Sequence, residues 1–121
     1  MTTSPQPPRV LVTGASRGIG RATMRYLAAA GYQVVGLARS KPDDLLHAEQ
    51  FVSCDLMDLE ATRQRVSELA EQAPFYGLVN NAALAHTTNL EQTSVADMHE
   101  AMTVNANAGL ACMQALLPGM T

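Results

Sequence analysis

One stretch of eight residues, Thr13-Gly14-Ala15-Ser16-Arg17-Gly18-Ile19-Gly20, restricts what this chain can become more than any other feature. Before it stands an unbroken apolar run, Val10-Leu11-Val12, of the kind that forms a strand covered on both faces. After it the apolar or small residues Ile19, Ala22, Thr23, Tyr26, Leu27 and Ala30 recur at helical spacing, which predicts one buried stripe of an amphipathic helix. Gly31 predicts a left-handed stop to that helix. Strand, glycine turn and helix in this order form the opening unit of a parallel sheet with crossover helices. The glycines have separate tasks: Gly14 turns the chain out of the strand, Gly18 lets backbone approach a pyrophosphate, and Gly20 lets helix and strand pack closely. The helix N-terminus adds unpaired N–H groups and a positive dipole end. No Gly-Lys-Ser/Thr follows the glycines, which excludes a P-loop nucleoside triphosphatase.

The same alternation continues downstream. Residues 33–38 read as a second strand, 51–54 as a short third and 78–79 as a fourth. Between the third and fourth, Leu59, Val66, Leu69 and Ala73 mark a second amphipathic helix, with Asp58 as its N-cap. Ser94 with Asp97 predicts a capped start for a long last helix. Its expected buried stripe is Met98, Met102, Asn105, Gly109, Cys112 and Leu116. Residues 1–8 hold three prolines among polar residues and read as a flexible leader, leaving residues 9–121 as one α/β unit.

Composition removes several classes of partner. The net charge is −3 with only eight Lys and Arg, so no basic stripe is available for nucleic acid or anionic lipid. No apolar run approaches the roughly 20 residues that span a bilayer, and the N-terminus lacks a charged start followed by an apolar stretch. The expectation is a cytoplasmic protein. Cys54 and Cys112 have no CxxC spacing or histidine companion and are expected to be buried thiols. His47, His86 and His99 show no metal-ligand spacing, so no metal is expected.

The TGxxxGxG spacing, taken with Asn80-Asn81-Ala82, resembles the short-chain dehydrogenase/reductase family from about Arg9 to the end of the chain. The resemblance implies a Rossmann-type doubly wound parallel sheet. Such a fold has about six strands in two halves, so the four strands read here amount to the first half. It assigns Gly14, Ser16, Arg17, Gly18, Ile19 and Gly20 to the phosphate loop, and Asp55 with Leu56 to contact with an adenine ring. Asp55 equally suits a turn in which its side chain satisfies local backbone, and both can hold. Asn81 and Ala82 are implied to stabilise the central sheet and line the cofactor cleft. Ala83 departs from the family's usual glycine, which makes a positive φ there costly.

The choice of dinucleotide turns on the end of the second strand, where an acidic residue would hold the ribose hydroxyls of NAD. Arg39 stands there instead. A guanidinium can grip the extra phosphate of NADP, and Arg17 can add a second charge, so NADP(H) is expected over NAD. Asp43 and Asp44 also lie within reach of the ribose, and Arg39 alone could be a solvated surface residue. A methyltransferase-like site is disfavoured, because it would generally put an acid where Arg39 stands.

Asn105 is a polar amide on the expected apolar stripe and needs a hydrogen-bond partner. By resemblance it is a member of the catalytic tetrad, where it interrupts the helix and positions a water in the proton relay. The implied reaction is hydride transfer between nicotinamide and a small carbonyl or alcohol substrate. It uses a tyrosine acid/base whose pKa is lowered by a lysine, with a serine orienting the substrate. Tyr26, Tyr32 and Tyr76 have no lysine four residues on, and Lys41 is the only lysine. The expectation is therefore an NADP(H)-dependent oxidoreductase that is incomplete as given and inactive alone, with a noncatalytic nucleotide-binding fragment or sensor as the alternative. The resemblance also implies a homo-oligomer formed through the last helix.

Overall fold

The computed structural model describes residues 6–84 and 89–120. Four parallel strands form one sheet in the order β3-β2-β1-β4: β1 (Arg9–Thr13), β2 (Gln33–Ala38), β3 (Glu49–Ser53) and β4 (Gly77–Val79). β1 pairs with β2 from Arg9 opposite Gln33 to Thr13 opposite Leu37, and with β4 from Val10 opposite Gly77 to Val12 opposite Val79. Every residue of β1 is buried, and so is β2 from Val34 onward, which is why both read as unbroken apolar runs. The helices are α1 (Gly18–Ala29), α2 (Leu59–Gln72), α3 (Val95–Met102) and α4 (Ala108–Leu116). A π-helical turn at Thr103–Asn107 joins the last two.

Side chains alternate across the sheet and feed two cores. Val10, Val12 and Val34 pack with Met24 of α1 on one side. Leu11, Val35 and Leu37 meet Val66 and Leu69 of α2, and Cys112 and Leu116 of α4, on the other. The result is half of a doubly wound α/β architecture, a parallel sheet with helices on both faces. Asp58 caps α2 by accepting from Ala61 N at 3.0 Å. Ser94 and Asp97 form a reciprocal capping box at α3, as their spacing predicts. Pro8 is tied to the sheet, its carbonyl accepting from Gln33 N at 3.0 Å; residues 1–5 of the expected leader lie outside the described residues, as does His86.

Three expectations need correction. In α1 the packed residues are Gly20, Arg21 and Met24, with Thr23, Leu27 and Ala28 half-buried, whereas Ile19 is 77% and Tyr26 76% exposed. The apolar stripe misjudges the helix rotation because a glycine and an arginine share the packed face with Met24, and Gly20 sits close against Gly14. In α2, Ala73 lies past the last helical residue and is exposed, so the buried face is Thr62, Val66 and Leu69. The last helix runs without a gap from Val95 to Leu116, but a π turn at Thr103–Asn107 interrupts its α-helical pattern. The extra residue in its π turn rotates α4 relative to α3, so one stripe cannot run through both. Met98, Met102 and Asn105 are exposed, and the buried positions are Thr103, Ala108, Ala111, Cys112 and Leu116.

No helix among the described residues is long and apolar enough to cross a membrane.

Candidate functional site

A cleft of about 910 Å³ opens where the chain leaves the carboxyl ends of all four strands. Its floor is built by one hydroxyl. Thr13 Oγ1 accepts from the backbone N–H of both Asn81 and Ala82 at 3.1 Å, while the Asn81 side chain donates to Gly14 O at 3.2 Å. These bonds clamp the end of β4 against the end of β1. The clamp is tight enough to require glycine: a Cβ on Gly14 (φ +64°) would lie 2.7 Å from Ala82 Cα. A Cβ on Gly20 would collide with Gly14 O and come within 2.6 Å of Asn81 Nδ2. Gly18 (φ +59°) has open space where its Cβ would be, so its backbone faces the cleft unobstructed.

Arg17 is the N-cap of α1, but no side chain caps the helix and no acid stands in its first turn. The first-turn N–H groups therefore lack a side-chain cap and the helix dipole is uncompensated, features that suit this end to an anion. Arg17, Arg39 and Lys41 are all exposed on the cleft, and none forms an ion pair among the described residues. Asp55 and Glu100 are the acids on the lining.

Asp44 is elsewhere engaged. Its carboxylate pairs with Arg21 at 3.3 Å and also with Arg25, and neither it nor Asp43 lines the cleft. Desolvation works upward on the Asp44 carboxyl, but the Arg21 hydrogen bond and the charges of Arg21 and Arg25 together outweigh it and hold the group below its ordinary value.

Most of the residues singled out from sequence meet at this cleft. Gly14, Ser16, Arg17, Gly18, Arg39, Asp55, Leu56, Asn81 and Ala82 all line it. Ile19 and Gly20 do not: Ile19 points to solvent, leaving only its N–H at the helix end, and Gly20 serves packing. Asp55 makes its turn, accepting from Met57 N at 3.0 Å, and Leu56 is mostly buried in the core. Ala83 carries no strain, since among the described residues only glycines have positive φ.

Asn105 is exposed and not buried, yet its amide is satisfied twice. Oδ1 accepts from Leu84 N at 2.6 Å and Nδ2 donates to Leu84 O at 3.0 Å. It sits within the π turn and so does interrupt the helix. A second cavity of about 30 Å³ is bordered by Asn105, Asn80 and Thr13. Sequence reasoning missed Thr13 and Leu84 as parts of the site. Thr13 stands inside the glycine motif and could have been found there; Leu84 contributes only backbone and leaves no side-chain signal.

Comparison with known proteins agrees with this geometry. The family model described as short chain dehydrogenase matches residues 8–121. L-xylulose reductase of Mus musculus is 38% identical over 117 residues, covering 93% of this chain and 47% of that protein. The chain thus spans about half the length of the curated relatives it matches. Among solved structures, a short-chain dehydrogenase from Streptomyces avermitilis superposes with a TM-score of 0.90 at 30% identity, over 97% of this chain and 46% of that one. A blue fluorescent protein from a metagenomic library, in complex with NADPH, superposes at 0.82 with 26% identity, over 93% and 51%. An NADH-dependent reductase complexed with NAD superposes at 0.83 with 28% identity, over 94% and 52%. With its glycine loop, parallel half-sheet and matching family model, this chain belongs to the short-chain dehydrogenase family.

Proposed function

We propose that residues 9–121 form the cofactor-binding part of an NADP(H)-dependent oxidoreductase that acts on a small carbonyl or alcohol substrate. The observation that carries this reading is the charge at the mouth of the cleft. Arg39 follows β2 directly, where an acid would hold the ribose of NAD, and the nearby Asp44 is tied to two arginines away from the lining. The cleft fits the dinucleotide. The uncapped start of α1 and the open face of Gly18 suit a pyrophosphate, and Arg17 and Arg39 suit the additional phosphate. Asp55 and Leu56 form the wall for an adenine ring, and Asn81 and Ala82 hold the floor through Thr13. When bound, the nicotinamide supplies the hydride chemistry.

Asn105 is the chain's own contribution toward the proton path. It holds the Leu84 peptide on the cleft wall, and the cavity beside it has room for one water. The serine, tyrosine and lysine that would complete the chemistry are sought in the half of the relatives' length that this chain does not span. The same reading has a cytoplasmic protein whose copies associate through the last two helices, where Met98 and Met102 of α3 and Leu110 of α4 are each more than half exposed.

The test is a titration of the full-length protein with NADPH and NADH, followed by nicotinamide fluorescence. Replacing Arg39 by Asp removes charge-assisted hydrogen bonds worth about 1.5–3 kcal/mol. NADPH affinity is expected to fall about 10- to 100-fold, with NADH binding spared or improved. Unchanged affinity for both would refute the role of Arg39.

A further inference from the structure

The loop after β2, residues 39–48, carries Arg39, Ser40 and Lys41 on the cleft and contains no helix or strand of its own. A loop of this length would by itself leave those side chains poorly fixed. It is fastened from behind by Arg21, which lies on the first turn of α1 and is 8% exposed. The Arg21 guanidinium makes four hydrogen bonds, two to the Glu49 carboxylate and one each to the Asp44 carboxylate and the Asp44 carbonyl. Glu49, at the start of β3, has a fully buried side chain and also accepts from Leu46 N at 2.7 Å. Arg25, one turn further along α1, takes the second oxygen of Asp44. The helix whose N-terminus faces the pyrophosphate position is therefore bolted to the loop that faces the additional phosphate.

We propose that Asp44, held by Arg21 and Arg25, is a positioning residue for selectivity between the two dinucleotides: it sets the loop so that Arg39 stands ready at the cleft. The inference rests on the NADP(H) reading and extends it to residues that do not touch the cofactor. Its sign separates it from plain electrostatics. Asp44 is a negative charge close to the phosphate-binding loop, so if only field strength mattered, removing it would make the site more positive and tighten NADPH binding. Positioning predicts the reverse, because the loop, left with its Asp44 carbonyl and Leu46 N–H bonds but without the carboxylate pairs, is looser and must be ordered further each time NADPH binds.

Asp44→Asn is the informative variant. The side chain is 55% exposed and the buried Arg21–Glu49 pair remains, so the fold is kept. In the full-length protein the variant is expected to weaken NADPH binding about five- to tenfold, with NADH affinity changed less than about twofold. A second arm places the same change in an Arg39→Ala background. If Asp44 acts by presenting Arg39, it then has no further effect on NADPH. NADPH affinity that rises or stays constant in Asp44→Asn, or equal losses for both dinucleotides, overturns the proposal. A native protein that binds NADPH no better than NADH would instead overturn the cofactor reading on which it rests.

Discussion

Replacing Gly20 by Ala tests whether the glycine motif is built for packing at this position or for ligand. Gly20 lies within α1, where alanine is the better helix former by about 1 kcal/mol. Local propensity alone therefore predicts a more stable protein. The packing says otherwise, since the new Cβ would collide with the Gly14 carbonyl oxygen and reach 2.8 Å from Gly14 C and 2.6 Å from Asn81 Nδ2. Two of those atoms are backbone already pinned by the β1–β4 clamp and cannot turn aside. Overpacking of that kind costs about 3 kcal/mol, and displacing Asn81 from its 3.2 Å bond to Gly14 O costs about 1 more. Less the propensity gain, the net loss is about 3 kcal/mol. Urea denaturation followed by far-ultraviolet circular dichroism reads this directly, through a lower midpoint at unchanged slope. Gly18→Ala is the control. It meets no atom within 4 Å but must keep φ near +59°, so its stability cost is about 1 kcal/mol. Because its methyl group would stand in the open space of the cleft, it is expected to lose NADPH affinity out of proportion to that cost. A neutral or stabilising Gly20→Ala would refute the reasoning.

Arg9 donates to Leu69 O at 2.7 Å and Ala73 O at 2.6 Å while lying 4.2 Å over the Phe75 ring, so it closes the end of α2. Arg9→Met keeps the stem but not the donors, and is expected to cost about 2–3 kcal/mol in the same urea assay; a loss under about 0.5 kcal/mol would refute that role. Burial pushes the Cys112 thiol up to about 11, with the charge of Cys54 adding to the effect. An unfolded thiol ionises near 8.5, so as pH rises from there to about 11 the unfolded state loses a proton that the folded state keeps. Stability is therefore expected to fall across that window, and at pH 8 iodoacetamide should label Cys112 only after unfolding. Rapid native labelling, mapped by mass spectrometry, would contradict both statements.

Parts of the fold are legible in the sequence for a physical reason. β1 and β2 are covered on both faces, so their apolar runs have no competing explanation. β3 is an edge strand with a mixed burial pattern, and its first residues, Glu49 and Gln50, do not read as strand at all. Glu49 is buried because Arg21 meets it, a fact that hydrophobic periodicity is blind to. The phase of α1 fails for the same reason. Two of its three buried residues are a glycine and an arginine, so the apolar residues beside them define a stripe that is rotated from the true one. Asn105 shows a subtler case: its need for a partner is readable, but the π turn that carries it outward to Leu84 is not.

A further regularity explains why the cleft residues could be named from sequence while the long-range pairings that hold them could not. Glycines, an arginine after a strand and an Asn-Asn-Ala run each sit in a short contiguous motif, because the chemistry of a phosphate or a turn is local. The loops at the carboxyl edge of a parallel sheet have little apolar surface to pack, so hydrogen bonds from side chains rooted in other elements must fix them. Thr13 and Asn81 are 68 residues apart, Arg21 and Glu49 28 apart, and Leu84 and Asn105 21 apart. Such pairs have no shared window in the sequence. At Thr13, Arg21, Glu49 and Asn105, which do not line the cleft, a conservative change would leave every cleft-lining residue in place and still shift the loop it braces. Selectivity measurements on these bracing residues therefore report on the site's geometry, whereas substitutions within the glycine loop or at Arg39 report on its contacts.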